Sequence, residues 1–371
     1  MDSIWIKELK KILLDKKIKI FFLIIIAIQI NIFLVSLYKF NTSVINLKEY
    51  SKIADSMQGS INWDLVDKDL LTNISNKYDD TLAKKVEFSS VKEAWENEYY
   101  KSAINNIDRQ RYINSLEEKE LNGNDYNIEE EIKNLKNIEE PGYSNSVGIN
   151  LFVQNITSIF TALVFVILSL MVVAFHDSIE RLSGFDEFII SSKKGYHSMM
   201  FNKIFSEYFF ISLLITIYYM VFLLLYIGMY KNYGSLEYKI NSMGIFTYSI
   251  YNISIKEYLL NSYFRLLFGI LSITSFIILV KEVVKNKIIG NIIAVLLVFL
   301  PLTLPRVGCI SKVVVLSPIF SMQGEFSYEN AIIYRIFNKS ISYTSISMTI
   351  LIIIFVIANI YIFRRKIING K

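Results

Sequence analysis

The side chains that could carry chemistry are few and far apart. The chain holds two histidines, His176 and His197, and one cysteine, Cys309. That set cannot build a His/Cys metal cage of the usual kind, and a lone cysteine excludes an intrachain disulfide. The chain has no Gly-x-x-x-x-Gly-Lys-(Ser/Thr) phosphate loop, no His-Glu-x-x-His pair and no Gly-x-Ser-x-Gly elbow. Nucleotide hydrolysis by the common mechanism, zinc hydrolysis and elbow-type acyl transfer therefore lack their usual residues. The expectation is a non-enzymatic chain with no catalytic residues, no metal and no directly bound cofactor. What remains are isolated charges in apolar surroundings. Arg265 interrupts an apolar run, about seven residues or roughly 10 Å from the run's start. Its head can snorkel outward or face a helix-bundle interior. Glu207 follows Lys203 by four residues, the spacing of an ion pair on one helix face. Gly290 and Ala294 form a small-xxx-small pair that permits close helix approach.

The elements that carry these residues are set by composition. The 371 residues are 53% hydrophobic and 20% charged, with only 4 Pro and 14 Gly, and the mean hydropathy is +0.39. That exceeds the usual apolar share of a soluble domain, so part of the chain must avoid water. Six stretches are long and apolar enough to be read as spans of about 20 residues: Ile18 to Tyr38, Leu151 to Phe175, Ile204 to Met229, Tyr258 to Val280, Ile288 to about Leu304, and Ile341 to Phe363. The second is free of charge. The fifth is short and meets Pro301 and Pro305, so it reads as either a partial or a re-entrant element.

Charge then orients the spans. Residues 41–150 hold 21 acidic and 13 basic side chains, net −8, whereas the remainder is net +13. With the N-terminus inside, the cytoplasmic pieces 1–19, 176–203, 281–287 and 364–371 carry 17 Lys/Arg, against 7 in the opposite short loops 230–257 and 305–340. The contrast puts both termini in the cytoplasm of a multi-pass plasma-membrane protein. The first apolar run is too long for a signal peptide, and its exit Ser36-Leu37-Tyr38-Lys39-Phe40 lacks a small-x-small site. The predicted fold class is thus an all-α polytopic membrane protein: an interfacial helix at 1–17, a first span at 18–38, a helical extracytoplasmic domain at 39–150 and a five-helix membrane region at 151–371. In the outer domain, Trp63 and Trp95 read as core or interfacial anchors, and from Thr81 to Leu121 the apolar positions Val91, Trp95, Tyr99, Ala103, Ile107, Ile113 and Leu116 recur at helical spacing up to the stop Asn122-Gly123. A second helix is expected at 127–138, ahead of Pro141.

Two segments are amphipathic without being spans. Trp5, Leu9, Ile12 and Leu13 share a face of the leader, with Lys7, Glu8, Lys10 and Lys11 around them, which describes a helix lying in the membrane interface. In the loop 176–203, Phe185, Phe188, Ile189 and Ile190 are too few to span and are flanked by Glu180, Asp186, Glu187, Lys193 and Lys194. A short helix offering its apolar side to a groove on another protein satisfies both facts.

Both segments resemble type-2 ABC exporter permeases. Lys7-Glu8-Leu9-Lys10-Lys11 followed by Lys16-Lys17 is similar to the family's leader. Glu180, Gly184, Glu187, Ile189, Ile190, Ser191, Ser192, Gly195 and Lys203 match its cytoplasmic loop without a gap. Phe185 stands where the family usually has Thr, Lys193 where it has Pro, and Asn202 where Gly is common. Leu316-Ser317-Pro318-Ile319-Phe320 resembles the Ser-Pro stretch before the family's last span. The resemblance implies a permease that moves a hydrophobic or amphipathic substrate, such as a peptide, lipid or drug, out of the cell. ATP would act through a separate cytoplasmic ABC ATPase, and the permease would pair with itself or with a second permease. It assigns ATPase coupling to Glu180, Gly184, Phe185, Glu187, Phe188, Ile189, Ser191 and Lys203, and places Trp5, Lys7, Glu8, Leu9 and Lys10 on the interfacial helix. Membrane lipids are expected partners and nucleic acid is not. The rival reading is a non-transporting sensor or immunity protein that binds an external ligand through residues 42–147.

Overall fold

The computed structural model describes residues 4–43, 53–54, 56, 91–122, 126–138, 142–183, 193–284, 287–303, 314–329, 332–336 and 339–369. The protein is built almost wholly of helices. Helix α1 (Ile4–Leu14) and α2 (Lys16–Ser43) are separated by Asp15 alone. The Asp15 carboxylate accepts the amide protons of Lys17 at 2.8 Å and Ile18 at 3.1 Å, so it caps α2 where the leader ends.

Helices α3 (Val91–Asn122) and α4 (Tyr126–Lys136) fall where the apolar spacing predicts them. They pack through Ile113, Leu116, Ile132 and Leu135. Arg109 donates to the Leu135 carbonyl at 2.8 Å, closing the C-terminal end of α4. Tyr112 donates its hydroxyl proton to Glu131 Oε1 at 2.7 Å. Burial raises the Glu131 carboxyl above its ordinary range, against the downward pull of that bond and of Lys119. A carboxyl raised in the folded state contributes stability at low pH that is lost as pH rises through its folded value. Glu131→Gln keeps the acceptor for Tyr112 without the half-buried charge. Its unfolding midpoint should therefore lie above wild type near neutral pH, with the gap closing as the buffer is taken into the carboxylate range. Trp63 and residues 81–90 lie outside the described residues, and of Trp95 only the helical backbone is described.

After these come α5 (Val147–Ile156), α6 (Ile159–Ser183), α7 (Lys193–Tyr230), α8 (Ile255–Val283), α9 (Lys287–Thr303), the short α10 (Pro318–Ser321) and α11 (Gly324–Glu329), and α12 (Tyr343–Asn369). Four of the described helices are long and apolar enough to cross a bilayer, over Lys16–Tyr38, Phe201–Tyr230, Ile255–Val283 and Tyr343–Arg364. The bent pair α5 and α6 supplies a fifth crossing if it is taken as one span. The apolar part of α9, Ile289–Thr303, is shorter, with Pro301 in its last turn.

The second stretch departs from the unbroken span expected over Leu151 to Phe175: it bends by 42° between α5 and α6. The cause is local side-chain competition for the backbone. Thr157 Oγ1 donates to the Val153 carbonyl at 2.8 Å. The Ser158 and Thr161 hydroxyls both donate to the Asn155 carbonyl, at 3.2 and 2.8 Å. The ladder is interrupted, and its exposed carbonyl is satisfied on the spot. The all-α expectation also gains one small exception. Strands β1 (Ile333–Ile336) and β2 (Lys339–Ser342) pair antiparallel, with Ile333 opposite Ser342, just before α12. The isoleucines at 333, 336 and 341 favour that extended form.

Helix α8 is the axis of the bundle, in contact with α6, α7, α9, α10, α11 and α12. It begins at a capping box: Ser254 Oγ accepts the Glu257 amide proton at 3.2 Å, and the Ser254 amide donates to Glu257 Oε2 at 2.8 Å. Elsewhere the core is an aromatic seam. Phe33 of α2 meets Tyr226 of α7 at 4.9 Å between ring centroids, Phe165 of α6 meets Tyr218 at 5.0 Å, and Phe152 of α5 meets Tyr219 at 5.1 Å. The outward faces of α2, α9 and α12 are apolar and exposed, carrying Leu23, Ile24, Leu296, Leu300, Ile357 and Ile360. Continuous apolar surface of this kind suits contact with lipid. The described residues are those of a predominantly helical membrane protein.

Candidate functional site

Two groups of side chains stand out because they place polar or charged atoms where water is excluded. The first is where α1 packs on α7. Glu8 on α1 is 4% exposed, and Ile12, one turn on, is 1% exposed, so this stripe forms the inner face of the helix. Leu9 is half-buried and Lys10 is exposed. Leu13 and Leu14 point outward, which splits the apolar face expected from the sequence into a side against α7 and an outer rim. Lys11 donates to Glu8 Oε1 at 2.7 Å. On α7, Lys203 and Glu207 are both buried. None of Glu8, Lys203 and Glu207 stands without an interaction, as buried charges require. Of the other expected coupling residues, Glu180 has a described backbone within α6 but not a described side chain, and Gly184, Phe185, Glu187, Phe188, Ile189 and Ser191 lie outside the described residues. Trp5 and Lys7 lie on α1, their side chains outside the description.

The second group surrounds Arg265 on α8. Of the two placements open to it, the guanidinium takes the interior one, at 3% exposure. Nη1 donates to the Ser321 carbonyl at 3.2 Å, to Ser347 Oγ at 2.9 Å and to Ser327 Oγ at 3.4 Å, and Nη2 donates to the Thr344 carbonyl. The Tyr328 ring lies 5.5 Å from the guanidinium carbon. These partners belong to α10, α11 and the first turns of α12. None is a carboxylate. Oxygen dipoles and a ring face therefore hold the charge, and the planar fork of donors joins three elements to the axis.

Small residues let those elements come close. A Cβ on Gly269 would collide with Met322, between α10 and α11. A Cβ on Gly324 would fall 2.8 Å from Ser262 Cβ. Both contacts flank Arg265 along one face of α8. The segment from Ser317 to Glu329 is thus folded back on the axis and pinned there.

Further along the bundle, neutral hydrogen bonds join the helices. Tyr208 of α7 donates to Asn359 Oδ1 of α12 at 2.8 Å and shares a hydrogen bond with Ser275 of α8, and Asn359 donates to Ser275 Oγ at 3.1 Å. Ser272 donates to the Leu351 carbonyl at 2.6 Å. At the break in the second span, Asn155 donates to the Tyr226 hydroxyl at 3.1 Å. Where α7 ends, Asn232 donates to the Asn145 carbonyl at 2.6 Å and to Asn145 Oδ1 at 3.0 Å, and it accepts the Gly148 amide proton at 2.7 Å. Sequence reading singled out none of these polar residues. A cue was present in Asn155-Ile156-Thr157-Ser158, a turn-like cluster inside an apolar run. Comparison of the chain with family models, with curated proteins and with solved structures returns no match.

Proposed function

We propose that this chain is the transmembrane subunit of a type-2 ABC exporter, carrying a hydrophobic or amphipathic substrate outward with energy from a separate cytoplasmic ATPase. The observation that carries the reading is the packing of α1 against α7. The amphipathic leader lies on the same helix into which the 176–203 segment leads, so the two segments that resemble the family are joined through one element. In this reading α9 completes six spans as a partial crossing, α3 and α4 belong to an outer domain inserted after the first span, and both termini are cytoplasmic. Two permeases associate, each binding one ATPase through residues 180–192 and the leader. Closure of the ATPase pair then moves α1 and α7 as a rigid body and shifts the equilibrium between inward and outward arrangements.

The test is co-purification. A phosphate-loop ATPase encoded beside this chain should co-purify with it from membranes. Glu180→Lys combined with Phe185→Asp should abolish that association while the permease still reaches the membrane at wild-type level. A complex that persists in the double variant would sink the docking assignment.

A further inference from the structure

Helix α2 is the least sheltered of the four helices long enough to cross: 17% of its most apolar window is buried within the chain, against 67% for α8. The buried side is the stripe Ile18, Ile25, Gln29 and Phe33, which meets α6 and, through Phe33 and Tyr226, α7. On the opposite side Ile20, Ile24, Ala27, Asn31, Leu34 and Tyr38 are all exposed. Their spacing alternates four and three, so they form one seam along the helix, the pattern by which two helices pack side by side.

Most of the seam suits acyl chains. Asn31 does not. It lies seven residues before Tyr38, roughly 10 Å inside the end of the span, too deep for its short side chain to reach the interface. Its Nδ2 donates to the Ala27 carbonyl at 2.8 Å. The second amide proton and Oδ1 have no partner among the described residues. Lipid tails offer neither donor nor acceptor, so a carboxamide held against them carries the cost of an unmet polar group. A hydrogen-bonding neighbour removes that cost. Ala27, one turn away on the same seam, is small enough to let a neighbouring backbone approach.

We propose that a second copy of this chain packs along the seam of α2, with the two Asn31 carboxamides hydrogen-bonded to each other. Two copies inserted in the same direction are related by a two-fold axis along the membrane normal, which runs their α2 helices parallel and sets each seam residue opposite its own copy. A carboxamide carries both donor and acceptor and is its own complement. One Asn within an apolar seam also fixes the register, because a slip along the pair leaves both amides against apolar side chains. The inference requires only that α2 lies in the bilayer, so it stands or falls apart from the ATPase.

The test uses the full-length chain in native membranes, with Cys309→Ser removing its one thiol. Ile24→Cys, Ala27→Cys and Leu34→Cys, each introduced singly, should give a disulfide-linked pair on mild oxidation. Ile28→Cys and Ile30→Cys, exposed on either flank of the seam, should link roughly tenfold more slowly. The strength of the pair is read from energy transfer between two labelled populations of purified chain, as protein density is varied in phosphatidylcholine vesicles. Asn31→Leu should weaken it by roughly tenfold, the scale of an interhelical hydrogen bond in lipid. Asn31→Gln keeps the amide and should recover most of the loss. Asn31 lies on the outside of the chain, so leucine there leaves the interior packing in place, and the cysteine arm keeps Asn31 intact throughout. Four results would overturn the proposal: linking at Ile28 and Ile30 as fast as on the seam, seam cysteines that link only to a different protein, a pair as strong in Asn31→Leu as in wild type, or a chain that stays single at every density.

Discussion

Arg265→Leu should destabilise the protein by about 3 kcal/mol, the scale of losing hydrogen bonds to a charged group in a buried site. Two effects oppose each other. Leucine relieves the cost of keeping a guanidinium out of water, and where both members of a buried pair are replaced that relief can dominate. Here the acceptors stay behind. The carbonyls of Ser321 and Thr344 remain buried, and a leucine side chain offers them no donor. Loss should therefore outweigh relief. Arg265→Lys keeps the charge but replaces the fork by a single point, so it should recover only part of the loss. The measurement is the thermal midpoint of detergent-purified protein, followed by monodispersity on a sizing column. An Arg265→Leu midpoint at or above wild type would show that the charge is tolerated rather than used. A second readout, limited proteolysis between Ser317 and Glu329, should show faster cleavage in the leucine variant than in Arg265→Lys.

Asn232→Leu should cost a similar amount, about 3 kcal/mol for three buried hydrogen bonds at roughly 1 kcal/mol each. The amide joins the end of α7 to the start of α5 from a fully buried position, donating twice to Asn145 and accepting once from Gly148. Leucine is close in volume, so the penalty comes from unpaired groups rather than from a void. Asn232→Asp is the sharper control. It keeps the acceptor for the Gly148 amide but turns a second oxygen toward the oxygens of Asn145. It should therefore be nearly as damaging, and more so at higher pH where the acid is ionised. Hydrogen exchange should locate the effect, with amides of residues 145–153 losing protection in both variants while those of α12 do not. Wild-type protection at 145–153 in either variant would contradict the clamp.

These two residues mark where sequence reading succeeds and where it stops. Arg265 is conspicuous because charge is rare within an apolar run, and its two possible placements follow from that alone. Which one it takes depends on Ser321, Ser327, Thr344 and Ser347, all more than fifty positions away. Asn232 carries no such signal. An asparagine after a span reads as an ordinary loop residue, and its role exists only because two chain segments over eighty residues apart meet there. The four helices long enough to cross, and the bent pair α5 and α6, are legible because a bilayer demands length and apolarity, which a single segment displays alone. The break at Thr157 and Ser158 is hidden for the opposite reason. Apolarity is nearly blind to hydroxyls that bond their own backbone, so a bent helix and a straight one look alike on that scale. The leader was legible as an amphipathic helix. That it would bury Glu8 rather than Leu13 follows from the shape and charge of α7, which periodicity does not carry.

The pinning of Ser317 to Glu329 on α8 also bears on how the molecule is made. Every acceptor that holds Arg265 lies 56 to 82 residues nearer the C-terminus. At roughly 5–20 residues per second of synthesis, the guanidinium leaves the ribosome about 3–16 s before its partners exist. Throughout that interval α8 is a nascent segment with an unsheltered cation, and its stable lodging in the bilayer waits for the last hydrophobic helix to arrive. A chain truncated before Tyr343 would keep that cation without half of its cradle, and the cell's membrane quality control would meet it as an orphan.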